Sequence, residues 1–144
     1  VGMNFEVRVH QYASGSTDHW GARLLSTLNG TEAEFVIVLY DDFFLNAPVI
    51  QERLMEYLGL MSGSPAIDVI YLTKLLGVEK GPAREDGLAV VNPTADYRLN
   101  SSPAIWRKDA LINFTGRQDN PWAWEYFGSY RTFSEKSIFL AISS

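Results

Sequence analysis

Six consecutive apolar residues, Phe35 to Tyr40 (FVIVLY), run without interruption into two acids, Asp41 and Asp42. β-Branched and aromatic side chains pack well on a pleated surface, and an unbroken apolar run suits a strand covered on both faces. The expected setting is the middle of an α/β sheet, with the acidic pair at the strand's carboxyl end. In open α/β sheets, ligands collect in the crevice beyond those ends.

The flanking segments extend this pattern. Trp20, Leu24, Leu25 and Leu28 recur at helical spacing after Ser16, Thr17 and Asp18, whose side chains suit an N-cap, and before Gly30, which suits a stop. The spacing predicts a helix over 18–29. Upstream, Phe5, Val7 and Val9 alternate with Glu6 and Arg8, the period of a short strand. Downstream, Pro48 suits a first helical position, Ile50, Leu54 and Tyr57 or Leu58 follow on one face, and Gly59 suits a stop. Further strands are expected at 67–72, 88–91, 97–99 and 137–142. A loop rich in glycine, proline and charge is expected over 77–87. Trp106 to Phe114 reads as a helix, and Asn120-Pro121 as the cap and first residue of another. Strands alternating with helices indicate an α/β fold, expected as a mixed, mainly parallel sheet flanked by helices in one domain over 1–144.

Composition removes several classes of function. With 47% apolar residues in 144, the chain can bury a core and is not a disordered segment. The net charge is −5 and the 12 Lys and Arg are scattered, so there is no electrostatic footprint for a nucleic-acid backbone. No cysteine is present, which excludes a disulfide framework and a thiolate zinc site and points to a cytoplasmic setting. Any metal must be held by oxygen or imidazole. No apolar run approaches the ~20 residues that cross a bilayer, so a soluble chain without a transmembrane segment is expected.

Three places carry possible chemistry. Asp41 and Asp42 are oxygen donors of the kind that hold Mg²⁺ or Mn²⁺ beside a diphosphate, and equally of the kind that open a turn or cap a helix. Glu125 lies between large rings in PWAWEYFGS, with Trp122 and Trp124 before it. Apolar surroundings can raise a carboxyl pKa towards the range of a general base, while a first-turn acid can also be simply solvated. Tyr97-Arg98 and SSPAIWRKD supply a cation, hydroxyls and Trp106, a set suited to a hydroxylated or phosphorylated ligand and common at loop-to-helix junctions. His10 and His19 have no companion at metal-ligand spacing and read as structural, and there is no P-loop or GxGxxG.

Taken in order, these segments resemble a bacterial family of GT-A glycosyltransferases associated with surface-polysaccharide biosynthesis. The resemblance rests on a Trp-led helix (HWGARLLSTLN), an apolar strand closing on acids and aromatics (FVIVLYDDFFL), a Tyr-Arg segment with a downstream Ala-Ile-Trp-Arg-Lys (YRLNSSPAIWRKDAL), and a Trp-rich acidic stretch before Gly-Ser (NPWAWEYFGS). It covers most of the chain. It implies a nucleotide-sugar donor, a glycan acceptor, a divalent cation (Mn or Mg) at Asp41 and Asp42, and Glu125 as the base that deprotonates the acceptor hydroxyl. Trp122 and Trp124 would shape the acceptor pocket, with Arg98 and Trp106 as further substrate contacts. Asp41 and Asp42 are adjacent, whereas the commoner GT-A motif separates its two acids by one residue. GT-A folds open with a strand and loop that grip the nucleotide base. Only Val1 to Val9 precede the Trp-led helix here, so the chain is expected to be a fragment lacking the first nucleotide-binding strand.

Two other functions compete. A phosphotransferase of haloacid-dehalogenase type also places acids at a strand end, but needs a small or hydroxyl residue where Phe43 and Phe44 stand. A non-catalytic carbohydrate-binding or interaction module would account for the aromatic content without metal or donor.

Overall fold

A computed structural model of the protein describes residues 19–134 and 136–143. The strand expected within the first nine residues, His10, and the cap residues Ser16, Thr17 and Asp18 lie outside these described residues.

Among the described residues the first elements are helix α1, Trp20–Asn29, strand β1, Phe35–Val38, and helix α2, Gln51–Gly63. Strands β2 (Ile67–Tyr71), β3 (Lys80–Ala83), β4 (Leu88–Val91) and β5 (Ala104–Arg107) follow. Helix α3 (Lys108–Phe114), helix α4 (Pro121–Ser129), a 3-10 turn over Tyr130–Thr132 and strand β6 (Ile138–Ile142) complete it. The six strands form one sheet in the order β1-β5-β2-β6-β4-β3.

This is an α/β fold with a mixed, open sheet, and the expectation of a mainly parallel one is corrected. Among the described residues only β2 and β6 pair in parallel; the other four pairings are antiparallel. Parallel neighbours need a long crossover, while antiparallel ones can be joined by tight turns. Two short strands account for three of the four antiparallel pairings, and the fourth joins β4 to β6. β3 lies inside the expected 77–87 loop and returns into β4 through a turn at Arg84–Gly87, where Gly87 adopts a φ of 77°. β5 takes up Ala104–Arg107, so Trp106 stands on a strand and the helix begins only at Lys108.

β1 is also placed differently. Among the described residues it is an edge strand, paired on one side with β5, and Ile37 and Leu39 are about half exposed. A cleft of about 770 Å³ runs between α1 and β1, lined by Leu24, Leu28, Val36 and Val38 among others. α2 runs past Gly59 to Gly63. A helical glycine costs only ~1 kcal/mol relative to alanine, and the turn beyond it seats Met61, fully buried, against Ile70, Ile105 and Leu140.

Two apolar layers result. On one face Tyr57 and Met61 of α2 pack with Ile67, Ile70, Leu88, Ile105 and Leu140. On the other face Leu28 of α1, Leu111 of α3 and Trp124 of α4 pack with Val69, Tyr71, Trp106 and Phe139. Asn120 caps α4 as expected, its Oδ1 accepting from the Ala123 N–H at 2.8 Å with Pro121 at the first turn. α1 begins at His19 without a side-chain cap.

The entry to α1 is fixed by a close approach. The Gly21 N–H donates to the Asp119 carbonyl at 2.9 Å, and a Cβ on Gly21 would lie 2.0 Å from the Gly116 carbonyl oxygen. That loop is itself held by Asp119, whose carboxylate accepts from Gly116 N–H at 2.7 Å and from both guanidinium nitrogens of Arg131. Backbone cannot step aside as a flexible side chain can. Gly21→Ala is therefore expected to lose about 1–3 kcal/mol through overpacking, seen as a lower urea midpoint with the slope unchanged.

Candidate functional site

Three polypeptide segments meet at one end of the sheet: the exit from β1, the last residue of β2, and the approach to β5. At the exit from β1, the Phe43 N–H donates to the Tyr40 carbonyl at 3.1 Å, so Asp41 and Asp42 occupy the two central positions of a turn. Both are exposed. The Tyr40 ring turns inward and stacks on Trp20 at the start of α1, with centroids 6.3 Å apart.

At the end of β2, the buried Tyr71 hydroxyl donates to the Arg98 carbonyl at 2.7 Å and accepts from the Asn100 N–H at 3.1 Å. That phenol anchors the segment leading into β5. α4 grips the same segment from above: Ser129 Oγ accepts from the Leu99 N–H at 2.9 Å, and Glu125 Oε1 accepts from Ser101 N–H at 2.7 Å and Ser101 Oγ at 2.5 Å. Glu125 is half-buried, with one carboxylate oxygen engaged by Ser101.

Electrostatics link this carboxylate to Tyr40, the residue before the acidic turn. The Tyr40 phenol is pushed up to about 12, first by burial and then by the negative charge of Glu125. Burial also pushes the Tyr71 phenol well up, with Glu125 and Tyr40 adding to the effect. Tyr40 precedes Asp41 directly, so Glu125 and the two aspartates share one end of the sheet.

The remaining expected residues are distributed otherwise. Arg98 is fully buried; its guanidinium donates to the carbonyls of Thr132 and Ser137 and lies 4.2 Å from the centroid of the Phe139 ring. It cannot reach a phosphate, and the expectation of a substrate contact there is corrected. Burial lowers its pKa, with the charges of Tyr71 and Asp68 opposing. Trp106 is likewise core: it faces Tyr71, Trp124 and Phe139 at 5.5–6.2 Å. Trp124 is buried beside it, while Trp122 is 77% exposed. Residues two apart on a helix point to nearly opposite sides, so the pair cannot line one pocket together. His19 sits exposed at the head of α1.

Tyr40, Tyr71 and Ser101 are the site residues that residue patterns did not single out. Tyr40 looked like the end of an apolar run, and Ser101 was one hydroxyl among several. The link from Ser101 to Glu125 spans 24 residues and has no local signature.

Beside the acidic turn lies a mostly apolar pocket of about 330 Å³, lined by Phe43, Phe44, Leu45, Leu54, Leu72 and Pro103 among others. Among the described residues no group of three or more His, Asp or Glu side chains converges as a metal site. Asp41 and Asp42 supply two exposed carboxylates, a donor set that fits a hard cation whose other positions are filled by phosphate oxygens and water. No helix among the described residues is long and apolar enough to cross a membrane. Compared with known proteins, the chain matches no family model, no curated protein and no solved structure.

Proposed function

We propose that the protein acts in glycosyl transfer from a nucleotide-diphosphate sugar to an acceptor hydroxyl, with inversion by direct attack, as part of a GT-A-type catalytic domain. The observation that carries this reading is the placement of Glu125. It is braced by Ser101 at the same end of the sheet as the Asp41-Asp42 turn and close enough to raise the Tyr40 phenol. A base and a diphosphate anchor at one end of the sheet is the arrangement that such a displacement needs.

In this reading the acceptor oxygen attacks the anomeric carbon as the bond to the diphosphate breaks. The leaving group departs with the electron pair, and the acceptor proton passes to Glu125. Ser101 fixes the carboxylate's orientation through Oε1, leaving Oε2 for the proton. Asp41 and Asp42 would hold Mn²⁺ or Mg²⁺, which when bound offsets charge on the leaving diphosphate. Arg98 and Trp106 have no direct part; they hold the floor on which α4 and the 98–101 segment rest.

The test is calorimetric titration of UDP-, GDP- and dTDP-sugars with and without Mn²⁺. One nucleotide is expected to bind only with the cation, and binding is expected to vanish in Asp41→Ala/Asp42→Ala. Mn²⁺ alone is expected to titrate weakly, because two exposed carboxylates leave most of its coordination sphere unfilled. Nucleotide binding that ignores both the cation and the double substitution would remove the reading.

A further inference from the structure

α4 and the 3-10 turn that follows it carry an outward aromatic stripe. Trp122, Tyr126 and Tyr130 are spaced i, i+4 and i+8, the interval that aligns side chains along one helical face. They are 77%, 42% and 50% exposed. Phe127, 64% exposed, packs edge-on against Tyr126 at 5.0 Å, and Tyr97 reaches in from the segment before β5 to within 5.6 Å of the same ring. Tyr126 in turn meets Tyr130 at 6.2 Å. Single exposed aromatics are ordinary, whereas a contiguous group of large ones marks a contact surface.

The backbone is strained to complete this group. Tyr97 is the one non-glycine residue among the described residues at positive φ, 55°. A bulky side chain in the left-handed region costs about 1–3 kcal/mol, a conformation in which glycine or asparagine would be relaxed. Tyrosine there brings a ring to the Tyr126 edge of the stripe.

The chemistry of the surface selects its ligand. Three of the rings carry phenols, and the Tyr130 phenol is pushed up first by Tyr126 and then by the Asp96 carboxylate, which places acid beside the rings. Arg131, the nearest cation in sequence, is paired to Asp119. A lipid surface would call for lysines or arginines beside the rings to meet its headgroups, and anionic ligands would meet Asp96, Glu125 and a chain of net charge −5. Flat rings edged with hydroxyl and carboxylate acceptors suit a neutral polyhydroxylated ligand, whose C–H faces stack on the rings while its hydroxyls meet the polar edges. From Trp122 to Tyr130 the stripe runs roughly 12 Å at 1.5 Å per residue, enough to underlie more than one sugar ring.

We propose that Trp122 and Tyr126 of α4 and Tyr130 of the 3-10 turn that follows it, with Tyr97, form a binding platform for a neutral oligosaccharide. Glu125 adjoins Tyr126 in the chain and follows Trp122 by one helical turn, so the platform would lay an acceptor glycan alongside the proposed base. Its role in delivering an acceptor rests on the transferase reading; oligosaccharide binding itself requires neither donor nor cation.

The test is saturation-transfer NMR with maltohexaose, cellohexaose and chitohexaose at millimolar concentration. Transfer from aromatic protons to at least one hexasaccharide is expected. Tyr126→Ala is expected to weaken that binding about tenfold or more, equivalent to ~1.4 kcal/mol. Tyr97→Gly separates binding from folding: it relaxes the left-handed backbone and is expected to weaken binding without lowering the melting temperature. Asp41→Ala/Asp42→Ala is expected to leave oligosaccharide binding unchanged. If that binding holds while cation-dependent nucleotide binding fails, the transferase reading falls and the platform stands. No transfer to any of the three probes overturns the platform. Self-association in sedimentation that Tyr126→Ala abolishes, without oligosaccharide binding, also overturns it and makes the patch a protein interface.

Discussion

Arg98→Ala is expected to lower folding stability by about 3–5 kcal/mol, the range for emptying a large core site and for breaking buried charged networks. The side chain is completely buried on the Phe139 ring, and its two terminal nitrogens satisfy the carbonyls of Thr132 and Ser137. Truncation leaves a cavity beneath β6 and two carbonyl acceptors without their donors, each costing about 1–3 kcal/mol if buried and unsatisfied. Lysine does not restore the arrangement, because one ammonium cannot reproduce a planar fork reaching two separate carbonyls. Urea denaturation of the wild type, Arg98→Ala and Arg98→Lys measures this directly. A variant that kept wild-type stability and lost only nucleotide affinity would return Arg98 to the ligand-binding residues.

The second large effect belongs to Glu125. On the proposed transferase reading, Glu125→Gln lowers kcat by about 10²–10⁴-fold, the usual contribution of a general base, with KM little altered. Glutamine is nearly isosteric and its amide oxygen can still accept from the Ser101 N–H and Oγ, so the melting temperature is expected to stay close to wild type. Steady-state kinetics on the donor and acceptor pair identified by binding, with thermal denaturation alongside, separates loss of the base from loss of the fold. A fall in kcat smaller than tenfold would move the base to another residue.

Much of the fold was legible where local physics is decisive. The FVIVLY run produced β1, the helical spacing from Trp20 produced α1, and Asn120-Pro121 produced the capped start of α4. Pairing partners were not legible. Tyr97 to Leu99 looked like a strand, yet Tyr97 adopts a left-handed conformation and the segment is held by Tyr71, Ser129 and Glu125 from outside. Ala104 to Trp106 looked like the approach to a helix, yet sheet neighbours on both sides claim them as β5. A four-residue strand has too few positions for periodicity to outweigh a following helical pattern. The continuous apolar character of β1 suggested a central strand; the described neighbours cover one edge only, and the run's exposed side borders the apolar pocket and the cleft beside α1. At the site, the acidic pair and Glu125 stood out by residue type. The bracing by Ser101 and Tyr71 depends on contacts across 24 to 29 residues, which no spacing rule encodes.

The position of β6 governs how this sheet can assemble in time. It is the last described strand along the chain, yet it lies between β2 and β4 and joins the β1-β5-β2 set to the β4-β3 hairpin. The hairpin can form from nearby segments, while Phe35 must wait for Arg107, and Ile67 for Ile138, before the β1-β5 and β2-β6 pairings exist. Closing such a long loop before its contacts are gained slows the search for the native state. A chain emerging from the ribosome is therefore expected to hold open strand edges until β6 joins β2 to the β4-β3 hairpin. That interval, when unpaired strands are exposed, is when the protein is most vulnerable to wrong pairing with its neighbours.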